Sequence, residues 1–247
     1  MYFSQGNLQY IGSAATPYWK FANHQWDYLG EGQGVGIETA DYDLFGWGTS
    51  GYNHGATCYQ PWSYDNNYTR YYAYGEYSKN LFDESGKADW GYNAISNGGG
   101  EEHKWRTLSR PEWVYILDER ATSTGIRYAK AKVNDVNGVI LLPDDWSSDT
   151  YSLSNTNSSG ASYSSNTVSA TQWSTLEQAG AVFLPAAGNR KGTTFYNVGS
   201  KGYYWSASQE DKYGAKCMYF DGSNLQSYDK YERYNGQSVR LVRPVEN

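Results

Sequence analysis

Cysteine is scarce in this sequence, with only Cys58 and Cys217 among 247 residues. Two cysteines cannot build the disulfide framework of a small secreted domain or a four-cysteine zinc site, and the sequence leaves open whether they pair. Histidine is nearly as rare, and His24, His54 and His103 are too far apart along the chain for a metal-binding spacing. We therefore expect neither a metal nor another cofactor.

Positively charged residues are outnumbered by acidic ones, and long apolar runs are absent from the sequence. The chain has 20 Lys and Arg against 26 Asp and Glu, a net charge of −6 and a pI near 5.1. Binding to phosphate backbones needs a clustered basic face, so we expect no nucleic-acid partner. The sequence contains no run of about 18 apolar residues, so it predicts no membrane span. The opening MYFSQGNLQY lacks the basic and apolar regions of a signal peptide, and whether a leader or anchor precedes Met1 stays open.

Aromatic side chains and glycine are abundant, with 26 Tyr, 10 Trp and 27 Gly. This composition, with little helical periodicity, predicts a chain rich in strands and in long aromatic and Gly-rich loops. Residues 2–10 have the pattern of a strand, and an Asn-Gly turn at 137–138 precedes a buried strand over 139–142. Strands and helices are mixed without βαβ alternation, which favours an α+β fold over a parallel sheet.

Two helices have recognisable ends. Ser109 and Glu112 form the S-x-x-E capping box and predict a helix over about residues 110–120. A second helix is predicted to begin with Thr171 as its cap and to stop at Gly180.

Clustered acidic residues offer the best candidates for a metal site. Glu101, Glu102 and His103 stand together. Asp144 and Asp145, after a strand ended by proline, are candidates for a calcium ligand pair or for a general acid/base pair. The first group is more often a solvated loop, and paired aspartates after such a strand more often cap their own backbone.

Motifs for covalent catalysis and phosphate binding are missing. The sequence has no G-x-S-x-G and no Ser or Cys with a convincing His partner. The glycine-rich string at residues 30–36 follows no apolar strand and opens no helix, so it does not predict a phosphate site. We expect no catalytic residues and no enzymatic activity.

The C-terminal tail is the most unusual part of the chain. Between two strand-like stretches, residues 209–234 are almost all polar or aromatic, without aliphatic periodicity. Tyrosine combined with Ser, Gly, Asn and Asp is typical of recognition surfaces, because tyrosine supplies rigid amphipathic area and the small residues supply hydrogen bonds. An exposed hairpin with half-buried aromatics is the plainer interpretation.

Four stretches carry a family resemblance: WRTLSRPEWVYIL, GVILLPDDW, LEQAGAVFLPAAGNR and GYYWSAS…NGQSVRLVR. In this order they resemble Bacteroides and gut-phage proteins of C-type lectin fold, related to the formylglycine-generating enzyme branch. The arrangement is similar to the variable proteins of diversity-generating retroelements. The resemblance implies one C-type lectin-like domain over residues 1–247, with neighbouring terminal strands and a variable region at 203–240.

In that family a reverse transcriptase mutates adenines in a template, chiefly in AAY codons, and the product replaces the 3′ end of the gene. Such changes reach Asp, Tyr, Ser, Gly and Arg but not Lys, Glu, Gln, Met or Trp. The variable residues would lie on the solvent-facing side of the last strands. The ligand-binding residues that the resemblance implies are Tyr204, Asp211, Tyr213, Gly214, Tyr219, Asp221, Ser223, Ser227, Tyr228, Asp229, Tyr231, Arg233 and Tyr234.

Some residues in the segment depart from this pattern. Glu210, Lys212, Lys216, Lys230 and Glu232 are not reachable from AAY codons, so they must come from the template or from other codons.

We expect a non-enzymatic protein that presents a diversified surface to a protein or glycan ligand on another cell or phage host. Its location would be a cell surface, the secreted state or a phage virion, and its oligomeric state stays open. The alternatives are an oxidase of the formylglycine-generating type and an invariant structural surface domain. The oxidase would need two copper-binding cysteines near the C-terminus, where the chain has only Cys217.

Overall fold

Sheets make up most of the regular structure, as the scarcity of helical periodicity predicts. The computed structural model describes residues 1–34, 39–52, 59–62, 64–83 and 86–245. Its strands, in chain order, are β1 (Tyr2–Phe3), β2 (Leu8–Ile11), β3 (Tyr18–Phe21), β4 (Asp41–Tyr42), β5 (Arg106–Thr107), β6 (Tyr128–Val133), β7 (Val136–Leu141), β8 (Thr167–Val168), β9 (Val182–Pro185), β10 (Asn189–Lys191), β11 (Thr194–Tyr196), β12 (Gly202–Gln209), β13 (Gly214–Phe220), β14 (Leu225–Glu232), β15 (Asn235–Gly236) and β16 (Leu241–Arg243).

The first helix, α1 (Arg110–Val114), begins where the capping box predicts. The Ser109 hydroxyl accepts a hydrogen bond from the backbone N–H of Glu112, whose carboxylate accepts one from the Ser109 N–H at 2.8 Å. The helix continues as a π-helical turn, Tyr115–Glu119, so the prediction of a helix over 110–120 is confirmed.

The second helix is α2 (Ala170–Gln178), and its N-cap lies two residues before the predicted one. Its N-cap is Ser169, which forms a capping box with Gln172, so the prediction of Thr171 as the cap was wrong. Gly180 follows the helix with a φ of 92°, as a C-terminal stop requires.

The strand pairs are antiparallel except for β6 with β8. The sheets have the strand orders β1-β16-β5, β3-β2-β4, β8-β6-β7-β9, β11-β10-β15 and β12-β13-β14. Pairing of Tyr2 with Arg243 brings the first and last strands together, as expected. The described part of the chain therefore has an α+β fold, with mainly antiparallel sheets, two short α-helices and several 3₁₀ turns.

The tight turn between β6 and β7 lies three residues earlier than predicted, at residues 134–135. Asn134 and Asp135 have φ angles of 46° and 64°, and Val133 pairs with Val136 across them. Two consecutive positive φ angles make the turn that suits a hairpin. Residues 137–138 are inside β7 instead, where a Cβ on Gly138 would come within 2.4 Å of the Phe183 ring.

Aromatic side chains fill the interior. The largest fully buried ones include Trp47, Trp90, Trp113, Trp173 and Trp205. One core cluster contains Trp47, Trp90 and Trp205, and a second contains Trp113 with Tyr204, Met218 and Phe220. In the part of the chain that the structure describes, no helix combines the length and the apolar composition needed to cross a membrane.

Candidate ligand-binding surface

The predicted variable region forms the sheet β12-β13-β14, which we call the tail sheet. Its central strand β13 is buried along its whole length. Trp205 and Cys217 face the first core cluster, whereas Tyr204 and Met218 face the second, under helix α1. Because both faces of β12 and β13 are covered, the expected solvent-facing side exists only along β14 and at the connecting turns.

The predicted ligand-binding residues divide into two groups by burial. The prediction of a surface position is wrong for five of them, which are buried: Tyr204, Gly214, Tyr219, Ser227 and Arg233. The others are exposed or half-buried, and they are Asp211, Tyr213, Asp221, Ser223, Tyr228, Asp229, Tyr231 and Tyr234.

Tyr204 is buried because its hydroxyl completes a hydrogen-bond chain in the core. It donates to the carbonyl of Pro185 at 2.8 Å and accepts from the side-chain amide of Asn7 at 3.2 Å. Burial raises the pKa of Tyr204, so the phenol stays protonated and keeps donating.

Arg233 is buried because it links the tail to a preceding loop. Its guanidinium donates to the backbone carbonyl of Tyr72 and, at 2.7 Å, to that of Asp211, and lies 5.2 Å from the centre of the Trp47 ring. Desolvation lowers the pKa of Arg233 to about 10. The residue therefore acts as a structural link rather than as a ligand contact.

Aspartate side chains close the two turns of the tail sheet. Asp211 accepts hydrogen bonds from the N–H groups of Tyr213 and Gly214, both at 2.8 Å, and forms an ion pair with Lys230. In the next turn, Asp221 accepts from the N–H groups of Ser223 and Asn224 and from the Tyr219 hydroxyl.

In the second turn, hydrogen bonds lower the pKa of the Asp221 carboxyl despite its partial burial. Burial alone would raise the pKa of Asp221, but the bonds from Tyr219 and Ser223 outweigh it and lower that pKa to about 2. Both turns are thus held by side chains that remain charged at neutral pH.

Four tyrosines form a cluster beside the first turn, which we call the tyrosine patch: the exposed Tyr68, Tyr74 and Tyr213 and the half-buried Tyr234. The Tyr68 ring centre lies 5.3 Å from that of Tyr74, 5.6 Å from that of Tyr213 and 6.4 Å from that of Tyr234. Tyr68 is 39% exposed, Tyr74 37% and Tyr213 46%. The tail supplies Tyr213 and Tyr234, and the loop at residues 67–77 supplies the other two.

Backbone hydrogen bonds fix this loop against the tail. The N–H of Gly75 donates to the Lys212 carbonyl at 3.1 Å, and the N–H of Leu81 donates to the Ala207 carbonyl at 2.9 Å. The side-chain amide of Gln209 bonds to the carbonyl of Glu76. The two halves of the patch are therefore held in a fixed relative position.

Sequence reasoning did not find Tyr68 and Tyr74. The signal was present in YTRYYAYGEY at residues 68–77, a second segment as rich in tyrosine as the tail. Nothing in the local pattern shows that this segment contacts residues about 140 positions later, because the contact is made only in the folded chain.

Two further tail tyrosines have different surroundings. Tyr228 is 46% exposed, with the Arg110 guanidinium 4.5 Å and the Lys216 ammonium 5.5 Å from its ring centre. Tyr231 is half-buried, packs against the first core cluster and lies 5.2 Å from the Tyr203 ring.

The candidate metal and cysteine sites do not assemble among the residues that the structure describes. Within those residues, no group of three or more His, Cys, Asp or Glu side chains has a metal-binding arrangement. His103 packs edge-on against Tyr92, with ring centres 4.7 Å apart. Cys217 is a free, buried thiol, and burial raises its pKa. Cys58, His54 and part of the glycine string at 30–36 lie outside the described residues.

Comparison with known proteins gives a match for part of the chain. No curated protein and no solved structure matched it. Residues 161–242, about a third of the chain, match the model of a family described as a domain of unknown function (DUF8237). The matched stretch contains α2 and the whole tail sheet.

Proposed function

We propose that this chain is a non-enzymatic ligand-binding protein of C-type lectin fold whose diversified C-terminal segment contributes half of a binding surface. The ligand would be a protein or a glycan on another cell or a phage host. The protein would act at a cell surface, in secreted form or in a phage virion. The observation that carries the proposal is the tyrosine patch, in which Tyr213 and Tyr234 of the tail contact Tyr68 of the loop.

The physical argument for binding is the cost of leaving such a surface uncovered. Clusters of exposed aromatic side chains indicate recognition sites more often than structural ones. The same rings would stabilise the protein more if they were buried in the core, so their exposure points to a role in binding. The patch also stands on a rigid support, the buried strand β13 and the Arg233 link. A rigid surface loses little conformational entropy on binding, which leaves more of the contact energy for affinity.

The proposal of a C-type lectin fold is supported by the arrangement of the elements. The terminal strands β1 and β16 pair, and the helices α1 and α2 flank antiparallel sheets. The described residues between 43 and 105 include long stretches without regular strands. The tail sheet between α1 and the first core cluster would hold its side chains in place while exposed positions vary.

The surroundings of Cys217 support a binding role over the oxidase alternative. The thiol is 1% exposed and packs with Trp205 and Ala207 in the first core cluster. A copper-binding cysteine of an oxidase has to be reachable by metal and by a peptide substrate. Burial in an aromatic core does not provide this access.

Sequencing the 3′ end of the gene across strains tests the proposal. We expect substitutions at exposed tail positions such as Tyr213, Tyr228 and Tyr234, whereas the buried Tyr204 and Arg233 stay fixed. An adjacent near-copy of this 3′ end, with Asn codons at the variable positions, would be the template. The proposal fails if the exposed tail positions vary no more than the buried residues 139–142 of the other sheet, which would favour the invariant structural domain.

A further inference from the structure

Two ammonium groups lie at the margin of the tyrosine patch, and neither has a carboxylate partner in the part of the chain that the structure describes. Lys191 Nζ lies 5.9 Å from the ring centre of Tyr234, and Lys212 Nζ lies 5.2 Å from that of Tyr77, which is 67% exposed. Among the described residues, neither lysine forms an ion pair, and each makes only a ring contact. Both charges are therefore available to a ligand.

The acidic side chains near the patch are, in contrast, mostly neutralised. Three carboxylates form ion pairs, and the pairs are Asp65–Arg70 at 2.8 Å, Glu210–Lys216 at 2.9 Å and Asp211–Lys230. Glu232 accepts hydrogen bonds from the side chains of Asn235 and Tyr234. Those neutral groups leave Glu232 charged, and Glu76 likewise forms no ion pair among the described residues, although its charge acts on the nearby Arg233. On a protein of net charge −6, Lys191 and Lys212 are therefore local positive charges that remain unpaired at this margin within the described part of the chain.

The tyrosines present hydroxyl groups as well as ring faces. Tyr68, Tyr74 and Tyr213 contact one another through their rings, and among the described residues their hydroxyls have no hydrogen-bond partner. Free phenol groups donate and accept hydrogen bonds, and the adjoining ring faces cover apolar C–H surface. A sugar ring, with its hydroxyl edge and C–H face, matches both properties.

The outer edge of the tail sheet is partly occupied, which disfavours an extended peptide ligand. Peptides often bind by adding a strand to an open sheet edge. On the outer edge of β14, the N–H of Lys230 donates to its neighbour Asp229 at 2.8 Å. The carbonyl of Glu232 accepts from the Asn235 amide at 2.9 Å. Two outward backbone groups are thus occupied, which favours a ligand bound through side chains.

We infer that the tyrosine patch binds an acidic glycan, with its sugar rings on Tyr68, Tyr74 and Tyr213 and its carboxylate or sulfate groups at Lys191 and Lys212. This inference rests on the binding function proposed above and narrows its ligand class.

The test is binding of the full chain to an array of neutral and acidic glycans, followed by titration with oligogalacturonate and with its methyl ester, which lacks the charge. We expect binding to acidic glycans only, with at least tenfold weaker binding of the methyl ester. K191Q and K212Q should each weaken binding roughly two- to fivefold, the range of an exposed ion pair, and E76Q should strengthen it. K132Q, in the sheet β8-β6-β7-β9, is the matched control and should bind as the unmodified protein does.

Several outcomes would overturn the inference. Equal affinity for the ester, or no effect of K191Q and K212Q, would show that charge is not used. Binding to neutral glycans that is lost in Y68S would retain the proposed function and refute the acidic ligand. Preference for a polyglutamate peptide over every glycan would identify a protein ligand instead. The absence of any glycan binding would refute the inference, while the proposed function would still be judged by strain sequencing.

Discussion

Replacing Arg233 by methionine should destabilise the protein by about 2–4 kcal/mol. The change removes two charge-assisted hydrogen bonds, each of which contributes roughly 1.5–3 kcal/mol, and leaves the carbonyls of Tyr72 and Asp211 unpaired. Part of this loss is recovered because a buried cation no longer has to be desolvated. Methionine preserves most of the side-chain volume against Trp47, so the cavity term is small.

Urea denaturation gives the change in unfolding free energy, and hydrogen exchange at Gly75 reports the local effect. The Gly75 N–H bonds to the tail at Lys212, so its exchange should accelerate when the Arg233 link is lost. Arg110→Met is the control, since Arg110 is exposed and contacts the Tyr228 ring, and it should change stability by less than about 0.5 kcal/mol. If R233M loses less than about 1 kcal/mol and exchange at Gly75 is unchanged, the account of Arg233 as a structural link is wrong.

Three more expectations follow from burial. Replacing both Tyr213 and Tyr228 by serine should leave the urea midpoint nearly unchanged, because both rings are largely exposed. Y231S should lower the unfolding free energy by about 1–3 kcal/mol, because the Tyr231 ring packs on the first core cluster. Equal effects of the two changes would refute that packing. W205A should cost about 3–5 kcal/mol, since the indole is buried and donates to the core; a loss under about 1 kcal/mol would contradict this. Burial raises the pKa of Asp43 from 3.8 to about 7, so the folded state keeps a proton that the unfolded state has lost. The unfolding free energy should therefore fall as the pH rises from 4 to 7, by at most about 4 kcal/mol. D43N should flatten this decline in urea midpoints measured at pH 5 and pH 8, and an unchanged slope would exclude Asp43 as its source.

Local chemistry predicted the start of α1 better than the start of α2 or the β6–β7 turn. The reciprocal bonds of Ser109 and Glu112 involve residues three apart, so the sequence alone contains all of the interaction. The Asn-Gly pair at 137–138 gave a false turn, because Gly138 is selected by its contact with the Phe183 ring of the neighbouring strand. That requirement depends on the tertiary structure and has no local sign.

In the tail, too, local sequence predicted less than the tertiary contacts determine. Its strands were hard to recognise because tyrosine serves both as a buried and as an exposed residue, so hydrophobicity alternates weakly along β14. Tyr203 and Tyr204 are adjacent in sequence, yet Tyr204 lies in the second core cluster and Tyr203 contacts the rings of Tyr219 and Tyr231. Nothing in their residue type separates either from the exposed Tyr213. A codon argument identifies positions that are able to vary, but only the packing shows which of them reach solvent.

The capped edge of β14 has a consequence for which variants survive. Open strand edges let separate molecules join into extended sheets and aggregate. Asp229 occupies the Lys230 N–H at that edge and lies within the segment proposed to vary. Exchanging it for Tyr or Val would reopen the edge while adding β-propensity. A repertoire built on this scaffold would therefore be filtered by solubility as well as by affinity. Among soluble variants, residues with a short hydrogen-bond acceptor should be enriched at position 229.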